Sequence, residues 1–241
     1  VVGYYAGYNN TSGTIVAIGH TALTSNTTAT NNTAVGLSAA YSTTTGGSNT
    51  AIGTSALYSN TTGSTNTAVG QDALRSNTTV SQNTAVGYQA GYSNTTGVDI
   101  TAVGYLAGYS NTTASSLLAI GSAALYANTT GTANTAVGNG LAGTSYAALR
   151  FNTTGSYNTA VGVGALASNT TSSQNTAVGY GSAGAITGAN NTAFGYNAMS
   201  GATTTSGSVA LGRYALAGVC TGADNTSVGN SSMQANTSGA S

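Results

Sequence analysis

Very few side chains in this sequence could do chemistry, and their spacing limits what they could do. His20 is the only histidine and Cys220 the only cysteine in 241 residues. The acids are Asp72, Asp99 and Asp224, the bases are Arg75, Arg150 and Arg213, and Lys, Glu, Pro and Trp are absent. A single histidine makes neither a histidine-based metal cluster nor a histidine pair. Glycosidase-type chemistry needs two carboxylates held at a set separation, and these three lie far apart along the chain. The glycine-rich stretches lack the Gly-Lys-Ser/Thr and strand-to-helix setting of a phosphate loop. Asp72 and Arg75, three residues apart, read as an edge pair with a structural role. The sequence therefore reads as no enzyme, with no metal and no cofactor. Cys220 cannot close an internal disulfide and reads as a small buried apolar residue.

One polar motif does recur. Asn26, Asn60, Asn77, Asn94, Asn111, Asn128, Asn152 and Asn169 each begin an Asn-Thr-Thr triplet. In a secreted eukaryotic protein these are N-glycosylation sequons, which would set glycans down one edge of the molecule. The other reading is a stacked turn, in which Asn and Thr bond to their copies above and below. The turn chemistry of Asn and Thr suffices for the triplet, and a bacterial or viral source would leave it bare.

The elements that position these residues follow from a tetrad, Thr/Val-Ala-hydrophobic-Gly, that returns almost every 17 residues. Its glycines are Gly19, Gly36, Gly53, Gly70, Gly87, Gly104, Gly121, Gly138, Gly162, Gly179, Gly195, Gly212 and Gly229, and Gly3 closes a partial first copy. A short period over a whole chain means one supersecondary unit stacked on itself. The unit 50–66 holds two short apolar runs, Ala51-Ile52 and Ala56-Leu57-Tyr58, each followed by turn formers. Helical repeats need roughly 34 residues, so the expectation is strand-turn-strand-turn, one rung of a β-solenoid. At about 4.8 Å per rung, 14 rungs predict a rod on the order of 65 Å long. Gly, Ser, Thr and Asn are abundant, yet 40% of residues are hydrophobic and stay in register, which argues against disorder.

Columns follow from stacking. The residue before each glycine (Val35, Ile52, Val69, Val86, Val103, Ile120 and Val137 among them) is expected to form a buried ladder. Gly36, Gly53, Gly70, Gly87 and Gly104 supply a corner with positive φ or a close approach. Alanines three residues past the glycine, such as Ala56 and Ala73, predict tight contact with a neighbouring wall. Tyr one past the glycine accompanies Gly four past it (Tyr88/Gly91, Tyr105/Gly108), and the ring is expected to fill the space of the leucine found elsewhere. The whole of 1–241 reads as a single repeat array and a stretch of a longer fibre, with an insertion of seven residues placed at 139–145. Three scattered arginines exclude a nucleic-acid interface. No apolar run approaches the roughly 18–20 residues of a membrane span, so no membrane insertion is expected in this segment.

These motifs carry a resemblance. Thr-Ala-Val-Gly and Val-Ala-Leu-Gly resemble the head repeats of trimeric autotransporter adhesins. The phrase Asn-Thr-Ala-Val-Gly-Tyr-Gln-Ala-Gly-Tyr-Ser-Asn-Thr-Thr-Gly, residues 83–97, resembles repeats of phage-type tail fibres more closely. The resemblance implies an all-β fold, a parallel β-roll in each chain, and three chains in one fibre that attaches to a surface or host. It implies an extracellular or virion-surface location, with itself and a host-surface glycan or protein as partners. The period of 17 is longer than that of the adhesin heads. Self-association also follows from physics, because so thin a rung encloses little core and a nearly uncharged column of Ala, Val and Tyr favours burial against its own copies. The function expected is a fibre or shaft, with a cell-surface adhesin or glycosylated extracellular filament as alternative. Ice binding by threonine arrays is a third reading.

Overall fold

The computed structural model describes residues 1–140, 146–201, 204–218 and 221–234. The chain divides into two compact units, Val1–Leu117 and Leu118–Ser241. The described residues are all-β, with no helix, and each unit is a β-solenoid. The first holds β1 (Ile15–Ile18), β2 (Asn32–Val35), β3 (Thr50–Ile52), β4 (Thr67–Val69), β5 (Thr84–Val86) and β6 (Ile100–Val103). The second holds β7 (Leu117–Ile120), whose first residue ends the first unit, then β8 (Thr135–Val137), β9 (Thr159–Val161) and β10 (Thr176–Val178). It closes with β11 (Thr192–Phe194), β12 (Val209–Leu211) and β13 (Thr226–Val228). Within each unit every strand pairs in parallel with the next, copy on copy: Thr50 faces Thr67, Ala51 faces Ala68 and Ile52 faces Val69. Val2 adds an isolated parallel bridge to Ile18 at the start of the first unit.

Each rung contains one strand, not two. The expected second strand, Ala56-Leu57-Tyr58, is instead a ribbon in which every second residue is left-handed: Ser55 has φ 54° and Leu57 φ 54°. Its N–H groups alternate in direction, Ser55 donating to the Leu37 carbonyl and Leu57 to the Ala73 carbonyl, one in each neighbouring rung. A left-handed leucine costs about 1–2 kcal/mol. Full burial of Leu57, Leu74 and Leu166 offsets it by roughly 1.5–3 kcal/mol each. The sequence signal for a strand was genuine apolar clustering, but interior packing of the leucine decides the backbone.

The core is built from small residues. The strand alanines Ala51, Ala68, Ala85, Ala102 and Ala136 are fully buried, as are Ala56, Ala73 and Ala90 three past the glycine. Because side chains alternate across a strand, an inward alanine puts both its neighbours outward. The expected buried ladder is therefore overturned: Ile52 is 40% exposed, and Val35, Val69, Val103 and Val137 are only partly covered. These residues do stack in register, on the outer face of the strands.

The tetrad glycines combine both features expected of them. Gly53 has φ +132°, and a Cβ there would lie 2.5 Å from the Gly70 carbonyl oxygen of the next rung. The tyrosine ring does not fill the leucine space. Tyr88 and Tyr105 are exposed and stack on each other at 5.5 Å. Gly91 sits under the Leu74 side chain of the neighbouring rung, 3.0 Å from where its Cβ would be. Of the expected insertion, positions 141–145 lie outside the described residues, as does Cys220. Its flanks make the same step twice. Gly140 donates to the Ser122 carbonyl of one neighbouring rung, and Gly164 of the other donates to the Tyr146 carbonyl.

Candidate functional site

The chemistry-bearing side chains stay apart. Asp72 and Arg75 form the expected pair at 3.1 Å, while Asp99 and Asp224 are exposed on other rungs. His20 is exposed and stacks on Tyr4 at 5.5 Å. Among the described residues no three His, Cys, Asp or Glu side chains could hold a metal ion. No helix of the described residues is long and apolar enough to cross a membrane.

The asparagines come together, but inside the coil. Asn26, Asn60, Asn77, Asn94, Asn111, Asn128, Asn152 and Asn169 are all fully buried. Each Nδ2 donates to the carbonyl three residues on, as Asn77 does to Val80 at 3.0 Å. Most also donate to the asparagine of the preceding rung: Asn77 to Asn60 Oδ1 at 3.1 Å, and Asn94 to Asn77 Oδ1 at 3.2 Å. The glycan reading is thereby overturned for the folded chain, because the acceptor nitrogen is enclosed and already committed to two acceptors. The threonine that follows completes the turn ladder, Thr61 Oγ1 donating to the Thr78 carbonyl at 3.2 Å. The column ends where the triplet is lost. Ile186 stands one period past Asn169, and Asn169 Oδ1 is a buried acceptor without a donor.

A second asparagine column went unread in the sequence. Asn32, which opens β2, and Asn49, Asn66 and Asn83, then Asn134, Asn158, Asn175 and Asn191, each just before a strand, are buried. Asn66 accepts the Asn83 backbone N–H at 3.0 Å and donates to the Val80 carbonyl at 2.9 Å. The repeated Asn before Thr-Ala-Val was the available signal. Ile100 and Leu117 replace it in two successive rungs.

Two surfaces remain for recognition. The first is the outer strand face, where Thr50, Thr67 and Thr84 run beside Ile52, Val69 and Val86. Among the described residues no charged side chain belongs to a strand. Apolar exposure on this face reaches 58% at Phe194 and 64% at Val228. The second is an aromatic stripe five residues past the glycine. Tyr41 and Tyr58 stack at 5.3 Å, the Arg75 guanidinium lies 5.3 Å from the Tyr58 ring, and Tyr92 and Tyr109 stack at 5.2 Å. Comparison with protein-family models, curated proteins and solved structures finds no match.

Proposed function

We propose that this chain is a shaft segment of an attachment fibre, of the virion tail-fibre kind, built by association of its own copies through the outer strand face. One observation carries the reading: the residue before each tetrad glycine, aliphatic in nearly every rung, stands outward in register where an interior position was expected. An in-register aliphatic column without charges loses water most favourably against a matching column. Three copies is the number that the resemblance to tail-fibre and adhesin repeats implies. A cell-surface adhesin would use the same face. The interior position of the sequon asparagines removes support from the glycosylated-filament alternative.

Sedimentation of the full chain tests the proposal. The wild type is expected to sediment as a trimer, and Val69→Asp combined with Val86→Asp as a monomer with an unchanged circular dichroism spectrum. A monomeric wild type at micromolar concentration would overturn it. The row of outward threonines at Thr33, Thr50, Thr67, Thr84 and Thr101 lends weight to the ice-binding reading as well. Thermal hysteresis by a wild type that stays monomeric would favour that reading over the fibre.

A further inference from the structure

The aromatic stripe stops in the second unit, and a groove opens where it stops. Five residues past the tetrad glycine stands Tyr126, and beyond the seven-residue insertion the equivalent residue is Arg150, whose guanidinium lies 5.3 Å from the Tyr126 ring. The next rungs carry Ala167, Gly184 and Ser200 at that position. The facing position, two past the glycine, is trimmed in two of the same rungs to Gly164 and Gly181. Both walls are thus cut back together, leaving a groove of about 440 Å³, within the roughly 300–1,000 Å³ of small-ligand sites. At about 4.8 Å per rung the vacated positions span on the order of 10 Å. None of the lining residues belongs to a strand, so the groove is separate from the outer strand face.

We infer that this groove binds a neutral saccharide of one to two pyranose rings. Tyr146, Phe151 and Tyr180 supply the aromatic surface, and all three are exposed. Such rings suit the C–H face of a pyranose, and each vacated rung has the spacing of one stacked ring. Asn197, Ser168 and Ser200 supply amide and hydroxyl groups for the sugar's hydroxyl edge. Asn197 Oδ1 leans over Gly181, where a Cβ would collide with it. Among the described residues no hydrogen bond occupies the Asn197 amide. No charged side chain lines the groove, and the Arg150 guanidinium beside it is engaged with the Tyr126 and Phe151 rings at 5.3 and 5.7 Å, which favours an uncharged ligand. A purely aromatic guest would desolvate the amide and hydroxyls without replacing their hydrogen bonds. The choice of a surface saccharide rests on the attachment reading, whereas the groove belongs to a single chain.

The test is a printed array of neutral glycans probed with the full chain, followed by calorimetry with the disaccharides that register. Ala167→Tyr restores the ring that the stripe carries elsewhere and fills the groove. It is expected to weaken binding at least tenfold, with melting temperature and sedimentation unchanged. Asn197→Ala is expected to weaken it severalfold and gives a second reading should the tyrosine variant fail to fold. Absence of binding to any neutral glycan, or binding untouched by both variants, would overturn the inference. Sedimentation of the same samples separates the two proposals. Assembly without glycan binding removes the groove's role alone, and glycan binding by a monomer removes the fibre alone.

Discussion

At the residue scale the molecule is held by neutral amides. A buried asparagine without partners is costly, but here each amide meets its neighbours one rung away, so the interior is a polar network that is satisfied along most of its length. Asn77 is the clearest case, since it donates to Asn60 and Val80 and accepts from Asn83 and Asn94. Asn77→Ala strands Asn60 Oδ1 in the interior and removes bonds to both neighbouring rungs. The expected loss is about 3 kcal/mol, read as faster amide hydrogen exchange in the rungs of Asn60, Asn77 and Asn94. A loss below about 1 kcal/mol would mean that the amides re-pair or that water replaces the missing one. The triplets themselves were legible as turns. Their burial was not, because Asn-Thr-Thr has the same composition whether its side chains face water or one another. The column of Asn32, Asn49 and Asn66 is hidden for a related reason: an asparagine ahead of Thr-Ala-Val has the same composition whether it faces water or its copies above and below.

At the element scale the period and the register were readable, and the orientation of the strand was not. Thr-Ala-Val is too short for alternation to show which face is inside; only the complete burial of Ala51 and its copies settles it. The preference of Val for interiors pointed the wrong way because the strand's inward position is taken by alanine, which turns both of its neighbours outward. The expected second strand failed differently, since a backbone left-handed at every second residue leaves no mark in a pattern of apolar residues. The glycines were legible, and they carry the prediction at this scale. Gly53→Ala places a Cβ 2.5 Å from backbone oxygen at φ +132°, with no flexible atom able to yield. The rungs around Gly53 and Gly70 are expected to separate, with loss of exchange protection from β3 to β4. Gly140→Ala is the control, since its Cβ would meet nothing closer than 3.4 Å. Equal protection in the two variants would show that the close approach of the glycines does not hold the rungs together.

At the scale of the whole molecule, the near absence of charge sets how stability responds to solution conditions. Six formal charges in 241 residues cancel to zero, and the one ion pair among the described residues joins Asp72 to the partly exposed Arg75. Such a pair contributes about 0–1 kcal/mol and is screened by salt. The asparagine ladders carry no charge and take up no proton. Only six side chains of the 241 carry a formal charge, so few ionic contacts are present for pH to alter. The melting temperature is therefore expected to move by less than about 3 °C between pH 5 and 9, and by as little between low and molar salt. Above that range, two tyrosines matter. Tyr4 is pushed up from 10.0 by its hydrogen bond with Tyr5, and Tyr196 by the charge of Tyr214. A raised value in the folded state means that the fold retains protons the unfolded chain releases first. Any stability from these groups is thus fully present below pH 10 and lost as pH climbs through the raised values. Melting curves from pH 5 to 11 in low and molar salt check this. A fall between pH 5 and 9, or a strong salt dependence, would mean that ionic contacts and not the amide ladders hold the coil.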